Sequence, residues 1–302
     1  MSRPNPYLLV TIGFWGFNFV SLKLIDSTVV TPPALLVFRF FATWAILAFV
    51  VRAMGHSLRF PREHCIRILV SGALTMGAYM AFFLAGTPLT APAEAAIVLA
   101  TMPIFTWLFS IVAGQDRFAW LRLGGSLVAF GGVALVVLGG GGKLGGHLLG
   151  DAIVFFGGLF WCAGIVVARP VLADVAPLRF FALSMPGALP IVLAYGGLAA
   201  LRTEWRAIDA RSWINMAQLV VGSGVVATAA YYRGIADLGA AGATAYQFFV
   251  PPIAAGFAWL LLGQAMHGLQ YVGIAVVVVG LMLPLWFGRR TALVAPAIEP
   301  AA

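Results

Sequence analysis

The chain has 302 residues, of which 62% are hydrophobic and only 9% are charged, and its formal net charge is +8. A soluble domain carries about 25% charged residues, so this composition excludes an ordinary soluble enzyme, a disordered protein and a disulfide scaffold. It favours a chain whose surface faces lipid.

Ten apolar runs, each bounded by charged residues, Pro or Gly, follow one another along the chain. They are continuous rather than alternating and too long for spanning strands, so each is predicted to be a transmembrane helix. The first run lacks a cleavage site, which favours a retained span over a secretory signal. The predicted spans are 6–24, 33–52, 66–86, 93–113, 119–138, 151–170, 177–199, 212–234, 240–262 and 269–287.

The basic residues are divided unevenly between the two sides of these spans. Twelve lie on one side and five on the other, with Arg39 left inside the second span. Because cytoplasmic loops are the more basic ones, both termini are predicted to lie in the cytoplasm. We therefore expect a multi-pass protein of the cell inner (plasma) membrane. Its expected partners are a small-molecule solute and membrane lipid, without nucleic acid, and the chain is expected to be a monomer or a homodimer.

An internal repeat relates the two halves of the chain. A shift of 149 residues places 89–133 on 238–282 with ten identities. Each half has five predicted spans, an odd number, so the second copy must cross the membrane in the opposite sense. The predicted fold is an all-α integral membrane protein with ten transmembrane helices in two inverted five-helix repeats. The recurring pairs include Pro103 and Pro252, Gly114 and Gly263, and Gln115 and Gln264.

A Gly-rich stretch near the centre of the sequence is predicted to link the two halves. The predicted organisation is a first five-span repeat at 1–138, the linker at 139–150, a second five-span repeat at 151–288 and a cytoplasmic tail at 289–302.

Aromatic, amide and Met side chains recur in the middle of several spans. Amides cannot face lipid without losing their hydrogen bonds, so they are expected to point inward. Such an interior would suit a planar, partly apolar solute, whereas plain helix packing is the alternative interpretation. The predicted cavity lining is Trp15, Asn18, Met76, Tyr79, Phe83, Trp161, Thr228, Tyr232, Tyr246 and Gln247.

Prolines and charges inside the spans give a second set of candidates. Pro103, Pro251 and Pro252 are predicted hinges that kink their helices and face the site. Arg39 and Glu94 are candidate functional charges, although Arg39 would lie near the interface if the second span began later. No Asp, Glu or His lies in the middle of a predicted span, so a proton relay is not expected and transport along the solute's gradient is.

Enzyme chemistry is not expected from this sequence. The four histidines lie in loops, and the Gly-rich match to a dinucleotide fingerprint follows no strand. The two cysteines are not placed to form a pair. We predict no catalytic residue, no metal site and no cofactor.

Taken together, these motifs resemble the EamA family of the drug/metabolite transporter (DMT) superfamily. The resemblance rests on the opening Trp15-Gly16-Phe17-Asn18, the mid-span prolines, the Gly-Gln pairs at span ends, and Gly-rich fifth and tenth spans. Gln115 and Gln264 replace the Glu usual in that family, which leaves the role of these positions open. Within the family, the aromatic interior is similar to YddG-type exporters of aromatic amino acids.

This resemblance implies a transporter that exports aromatic and other amino acids by alternating access, in which the site opens to one side of the membrane and then to the other. One alternative is a transporter of another metabolite or amphiphile class. An alternative of a different class is a non-transporting membrane scaffold or receptor.

Overall fold

The computed structural model describes residues 4–90, 92–139, 147–263 and 265–292, with side chains described except at 88, 92–94 and 284–292. Within these ranges all regular secondary structure is helical, and no strand is present. The α-helices are α1 (Pro6–Lys23), α2 (Pro32–Ala53), α3 (Cys65–Gly72), α4 (Tyr79–Gly86), α5 (Pro92–Ala100), α6 (Met102–Val112), α7 (Trp120–Gly139), α8 (Leu148–Val171), α9 (Pro177–Arg202), α10 (Ala210–Ala217), α11 (Thr228–Ala245), α12 (Val250–Leu262) and α13 (Gly268–Ala292).

Two long helical stretches each contain a π-helical segment partway along their length. The π-helical segment Ala73–Ala78 joins α3 to α4, and Gln218–Ala227 joins α10 to α11. The shift of 149 residues that relates the two halves places the first segment inside the second. Short 3-10 helices cover Thr87–Leu89, Trp205–Ala207 and Tyr246–Phe249.

Seven helical stretches among the described residues are long and apolar enough to cross a membrane, judged by length and composition. One of them is a stretch of 53 residues in which Gly239 adopts φ 76° and ψ 169°, so two helices meet there. Gly268–Leu283 is a shorter apolar helix. The seven stretches are Pro32–Ala53, Cys65–Gly86, Ala95–Val112, Trp120–Gly139, Leu148–Val171, Pro177–Arg202 and Ala210–Leu262.

The helices end ahead of the predicted hinge prolines, which corrects the expectation of kinks within continuous helices. α5 ends at Ala100, and Pro103 is the second residue of α6. Pro251 and Pro252 lie in the first turn of α12, after a 3-10 segment. Proline is tolerated in a first turn because the N–H it lacks has no partner there, and it disfavours helix in the residue before it.

The predicted linker is shortened by the helices on both sides of it. α7 continues to Gly139 and α8 begins at Leu148, so both enter the predicted range 139–150. Residues 140–146 lie outside the described residues, as do Gln264 and the part of the predicted tail beyond Ala292.

Several contacts between helices have an equivalent contact at positions shifted by 149 residues. α1 packs against α12 and the second π-helical segment, and its counterpart α8 packs against α6 and the first π-helical segment. The two largest contacts join counterparts directly: α2 packs on α9, and α7 packs on α13. These contacts relate equivalent helices of the two halves.

The contact between α7 and α13 depends on glycines. A Cβ on Gly280 would lie 2.4 Å from the Ala129 nitrogen, and one on Gly273 would lie 2.7 Å from the Gly132 oxygen. The equivalent positions in the first half, Gly124 and Gly131, have nothing within 4 Å. The face of α7 that meets α13 therefore carries the neighbouring glycines, such as Gly132, rather than the pair that recurs in the repeat.

Gly280 and Gly131, which occupy equivalent repeat positions, provide a matched pair of substitutions. Gly280→Ala should lower the free energy of unfolding by about 1–3 kcal/mol, because backbone atoms of α7 cannot move away from the new methyl group. Gly131→Ala should be neutral or slightly stabilising, since Ala favours helix and open space surrounds it. Thermal denaturation in detergent measures both, and equal melting temperatures for the two variants would contradict the packing described.

Candidate functional site

Four aromatic side chains meet between the two halves, and we call them the aromatic cluster: Trp15, Tyr79, Trp161 and Tyr231. The ring centroids of Trp15 and Tyr231 lie 4.9 Å apart, and those of Tyr79 and Trp161 lie 5.2 Å apart. The rings of Trp15 and Tyr231 both lie 5.7 Å from that of Trp161. α1 and α4 of the first half and α8 and α11 of the second half each contribute one ring, so the cluster joins the halves.

The hydroxyl group of Tyr231 connects the cluster to the chain beyond Gly239. It lies 2.7 Å from the hydroxyl of Thr244, and the Gln247 amide donates a hydrogen bond to it at 3.2 Å. Because the chain turns at Gly239, these residues come back alongside Tyr231. Gln247 therefore contacts the aromatic cluster through the hydroxyl of Tyr231.

Phe83 and Met76 extend the site along the same rod as Tyr79. Phe83 stacks on Tyr79 with ring centroids 5.8 Å apart. Met76 lies in the π-helical segment and packs, partly buried, against the main core. The contact between Phe83 and Tyr79 places two of these three side chains together.

Tyr232 and Thr228 do not reach the aromatic cluster, which corrects their predicted placement. Tyr232 packs on Phe180 and Phe181, with ring centroids 4.9 Å and 5.5 Å away. The hydroxyl of Thr228 donates to the Ser223 carbonyl within its own rod. The sequence prediction assumed 3.6 residues per turn, whereas a π-helix has more and rotates the residues after it. Tyr231 consequently takes the inward position.

Asn18 and Tyr246 lie beside the site in different ways. The Asn18 side-chain oxygen is buried without a hydrogen-bond partner among the described residues. Tyr246 lies at one rim, where its hydroxyl accepts a hydrogen bond from the Asn5 N–H at 3.1 Å. Asn18 thus retains a free acceptor, while the hydroxyl of Tyr246 already has a partner.

The two candidate charges differ in what the structure shows. Arg39 is partly buried on α2 and lies near Tyr79. The side chain of Glu94 lies outside the described side chains.

The sequence analysis did not identify Tyr231, Thr244 or the hydrogen bonds around Gln115. The Gln115 side-chain amide donates to the Val166 carbonyl at 2.9 Å, and the Gln115 backbone carbonyl accepts a hydrogen bond from the Arg169 guanidinium. Arg169 also lies against Gly239. Only the Gly-Gln repeat pointed to Gln115, and the spacing taken from the repeat selected Tyr232 rather than Tyr231.

Open space lies at one end of the bundle rather than at the aromatic cluster. A cleft of about 660 Å³ is lined by residues of α2, α9 and the loops next to them, including Thr31, Tyr195 and Arg202. No member of the aromatic cluster lines it. In this conformation the aromatic rings contact one another.

The described part of the chain contains no candidate metal site, because no three His, Cys, Asp or Glu residues are grouped there. Cys162 instead packs on Met102, whose carbonyl lies 3.4 Å from its sulfur.

Comparison with known proteins identifies the family. Residues 5–138 and 148–286 each match the EamA-like transporter family. This chain belongs to the EamA-like transporter family. The family comprises membrane transporters rather than enzymes, and the chain is a multi-pass membrane protein.

Individual relatives are more distant. The chain is 24% identical over 283 residues to a probable terminal-alkyne amino-acid exporter of Streptantibioticus cattleyicolor, covering 93% of this chain and 88% of that protein. It is 23% identical over 296 residues to the uncharacterized inner membrane transporter YedA of Escherichia coli, covering 95% and 91%. A crystal structure aligns with a TM-score of 0.77 at 21% identity, covering 95% of this chain and 98% of that chain, which supports the fold alone.

Tyr231→Phe tests the hydroxyl network of the site. The substitution leaves the partly buried Gln247 amide without its acceptor, so the free energy of unfolding should fall by about 1 kcal/mol. Tyr195→Phe is the control, because the Tyr195 hydroxyl has no hydrogen bond within the described residues. Thermal denaturation in detergent compares the two, and a Tyr231→Phe protein as stable as the control would show that the network contributes nothing.

Proposed function

We propose that this chain is an inner-membrane transporter that moves small metabolites out of the cell, with aromatic and other amino acids as the preferred solutes. The observation that carries the proposal is the aromatic cluster, which α1, α4, α8 and α11 build between the two halves. Flat aromatic faces with nearby amide and hydroxyl groups suit a solute that has a ring and polar atoms. The name of the exporter from Streptantibioticus cattleyicolor supports an amino acid as solute.

The proposed architecture has ten spans in two inverted five-helix repeats, at 1–138 and 151–288. Its support is the set of equivalent helix contacts in the two halves, the recurrence of π-helix, and the match of the family to each half. Gly114 and Gly263, with φ of 67° and 64°, end equivalent helices in the two repeats. The excess of basic residues on one side supports cytoplasmic termini.

Polar contacts between the halves occur at both ends of the bundle. At the proposed cytoplasmic end, His64 lies 2.9 Å from Asp174, and the Asn5 amide lies 3.0 Å from Asp237. At the other end, the Asp26 N–H donates to the Ser212 hydroxyl at 3.1 Å. In alternating access one of these sets opens while the other stays closed, and the helix breaks beside Pro103 and Pro251 act as hinges.

The proposed transporter is a facilitator. The predicted spans contain no mid-span Asp, Glu or His that could carry a coupled proton. The solute gradient therefore drives the net flux, and export is its direction when the solute accumulates inside.

Counterflow in proteoliposomes tests this function. Labelled phenylalanine and tryptophan should exchange in vesicles containing the wild-type protein. Tyr79→Ala or Trp161→Ala should lower the exchange at least about 10-fold, since each removes an aromatic contact surface. Trp120→Ala is the matched control, because Trp120 is 78% exposed.

The size-exclusion profile must first show that each variant is folded. Exchange of threonine or a nucleoside instead of aromatic amino acids would favour a transporter of another class. Absence of flux for every solute would favour a scaffold or receptor. Full activity of both site variants would contradict the aromatic lining.

A further inference from the structure

Arg39 and Tyr79 lie at the same depth in the bundle. Arg39 is seven residues after Pro32, where α2 begins, and Tyr79 is seven residues before Gly86, where α4 ends. At 1.5 Å per residue, each lies about 10 Å from the end of its helix. Both ends belong to the proposed external face, and α2 contacts α4. Arg39 is therefore well inside the bundle and beside the outer edge of the aromatic cluster.

The charge of Arg39 has no counter-charge in the described part of the chain. The ion pairs there involve His64, Arg122 and Arg233, and no described carboxylate lies within ion-pair distance of Arg39. Tyr79 lies nearby but carries a neutral phenol, so it does not offset this charge. Because a guanidinium is always protonated in proteins, this positive charge cannot be removed by losing its proton.

An intramembrane charge without a partner is costly, and such a residue is by default a candidate functional residue. Snorkelling does not explain Arg39, since it lies about 10 Å along α2 from the external end of that helix. Phe40, the next residue of α2, packs on Trp44. The site is thus built with one cation and several rings.

We propose that Arg39 binds the carboxylate of the transported solute while the solute's apolar part lies against the aromatic cluster. This inference rests on the proposed function and assigns the solute class to molecules with a carboxylate. Two parallel hydrogen bonds from a guanidinium match a carboxylate, and such charge-assisted pairs are the strong ones. Tyr79 packs on Trp161 and lies at the same depth as Arg39 on a helix that α2 contacts, so it lies between the two subsites.

The rings also provide for the other end of an amino acid. An ammonium group is attracted to the faces of Trp and Tyr, and Trp15, Trp161 and Tyr231 are within 6 Å of one another. A solute with a carboxylate alone should still bind through Arg39. A solute with an ammonium alone adds a second positive charge next to Arg39 and should be rejected.

Three probes that share one ring system separate these contributions. They are phenylalanine, phenylalanine amide, which lacks the carboxylate, and 3-phenylpropionate, which lacks the ammonium. Thermal stabilisation of the purified full-length protein measures binding, and counterflow in proteoliposomes measures transport. We expect wild-type protein to bind phenylalanine and 3-phenylpropionate and to bind the amide at least 10-fold more weakly.

Substitutions at Arg39 then identify the group responsible. Arg39→Gln should weaken phenylalanine binding about 10-fold to 100-fold and should not weaken binding of the amide. Arg39→Lys should be intermediate, because an ammonium keeps the charge but lacks the two-point geometry. Lys23→Gln makes the same charge change at an exposed position near the same face and should leave binding unchanged.

Equal binding of phenylalanine and its amide by the wild-type protein would overturn the role of Arg39 while leaving aromatic amino-acid transport intact. Unchanged phenylalanine affinity in Arg39→Gln would overturn it equally. If that variant does not fold, the wild-type probe series and Arg39→Lys decide. Absence of any binding or exchange by the wild-type protein would instead overturn the proposed function itself.

Discussion

Backbone N–H and C=O groups in the hydrocarbon layer must find their hydrogen-bond partners within the protein, and this constraint determines where the bundle can bend. At the break between α5 and α6, local groups supply the hydrogen bonds, because the Thr101 hydroxyl and N–H both donate to the Val98 carbonyl. At Gly239 the guanidinium of Arg169 lies directly against the break. The protein therefore interrupts its helices only where local groups or a neighbouring helix can replace the lost interactions.

The same breaks position the site. Gly239 turns the chain so that Thr244 and Gln247 return to the hydroxyl of Tyr231. Because both halves contribute to the aromatic cluster, any rocking of one half against the other must rearrange those rings. In the proposed mechanism, these rings would couple solute binding to the change in access. Arg39 adds a fixed positive charge at the edge of the cluster, which would make the coupling selective for solutes that carry an anionic group.

The helical fold could be predicted from the sequence because length, continuous hydrophobicity and the positions of Pro and Gly all act locally. The direction in which side chains point around these helices could not be predicted, because it depends on the helical pitch. Tyr231 and Tyr232 are adjacent and chemically identical, and a π-helical segment that the sequence analysis did not predict precedes them and changes the helical pitch. The glycines of α7 show the same limit. Gly131 recurs in the repeat, but its neighbour Gly132 makes the close contact with α13.

The most direct test of the central claim is the accessibility of a cysteine at position 79. In a background with Cys65→Ser and Cys162→Ala, Tyr79→Cys would be exposed to a membrane-impermeant thiol reagent from each face of oriented vesicles. An aromatic site reached alternately from both sides predicts labelling from either face, with phenylalanine slowing the reaction. A cysteine that reacts from neither face would contradict the account and indicate a permanently packed core.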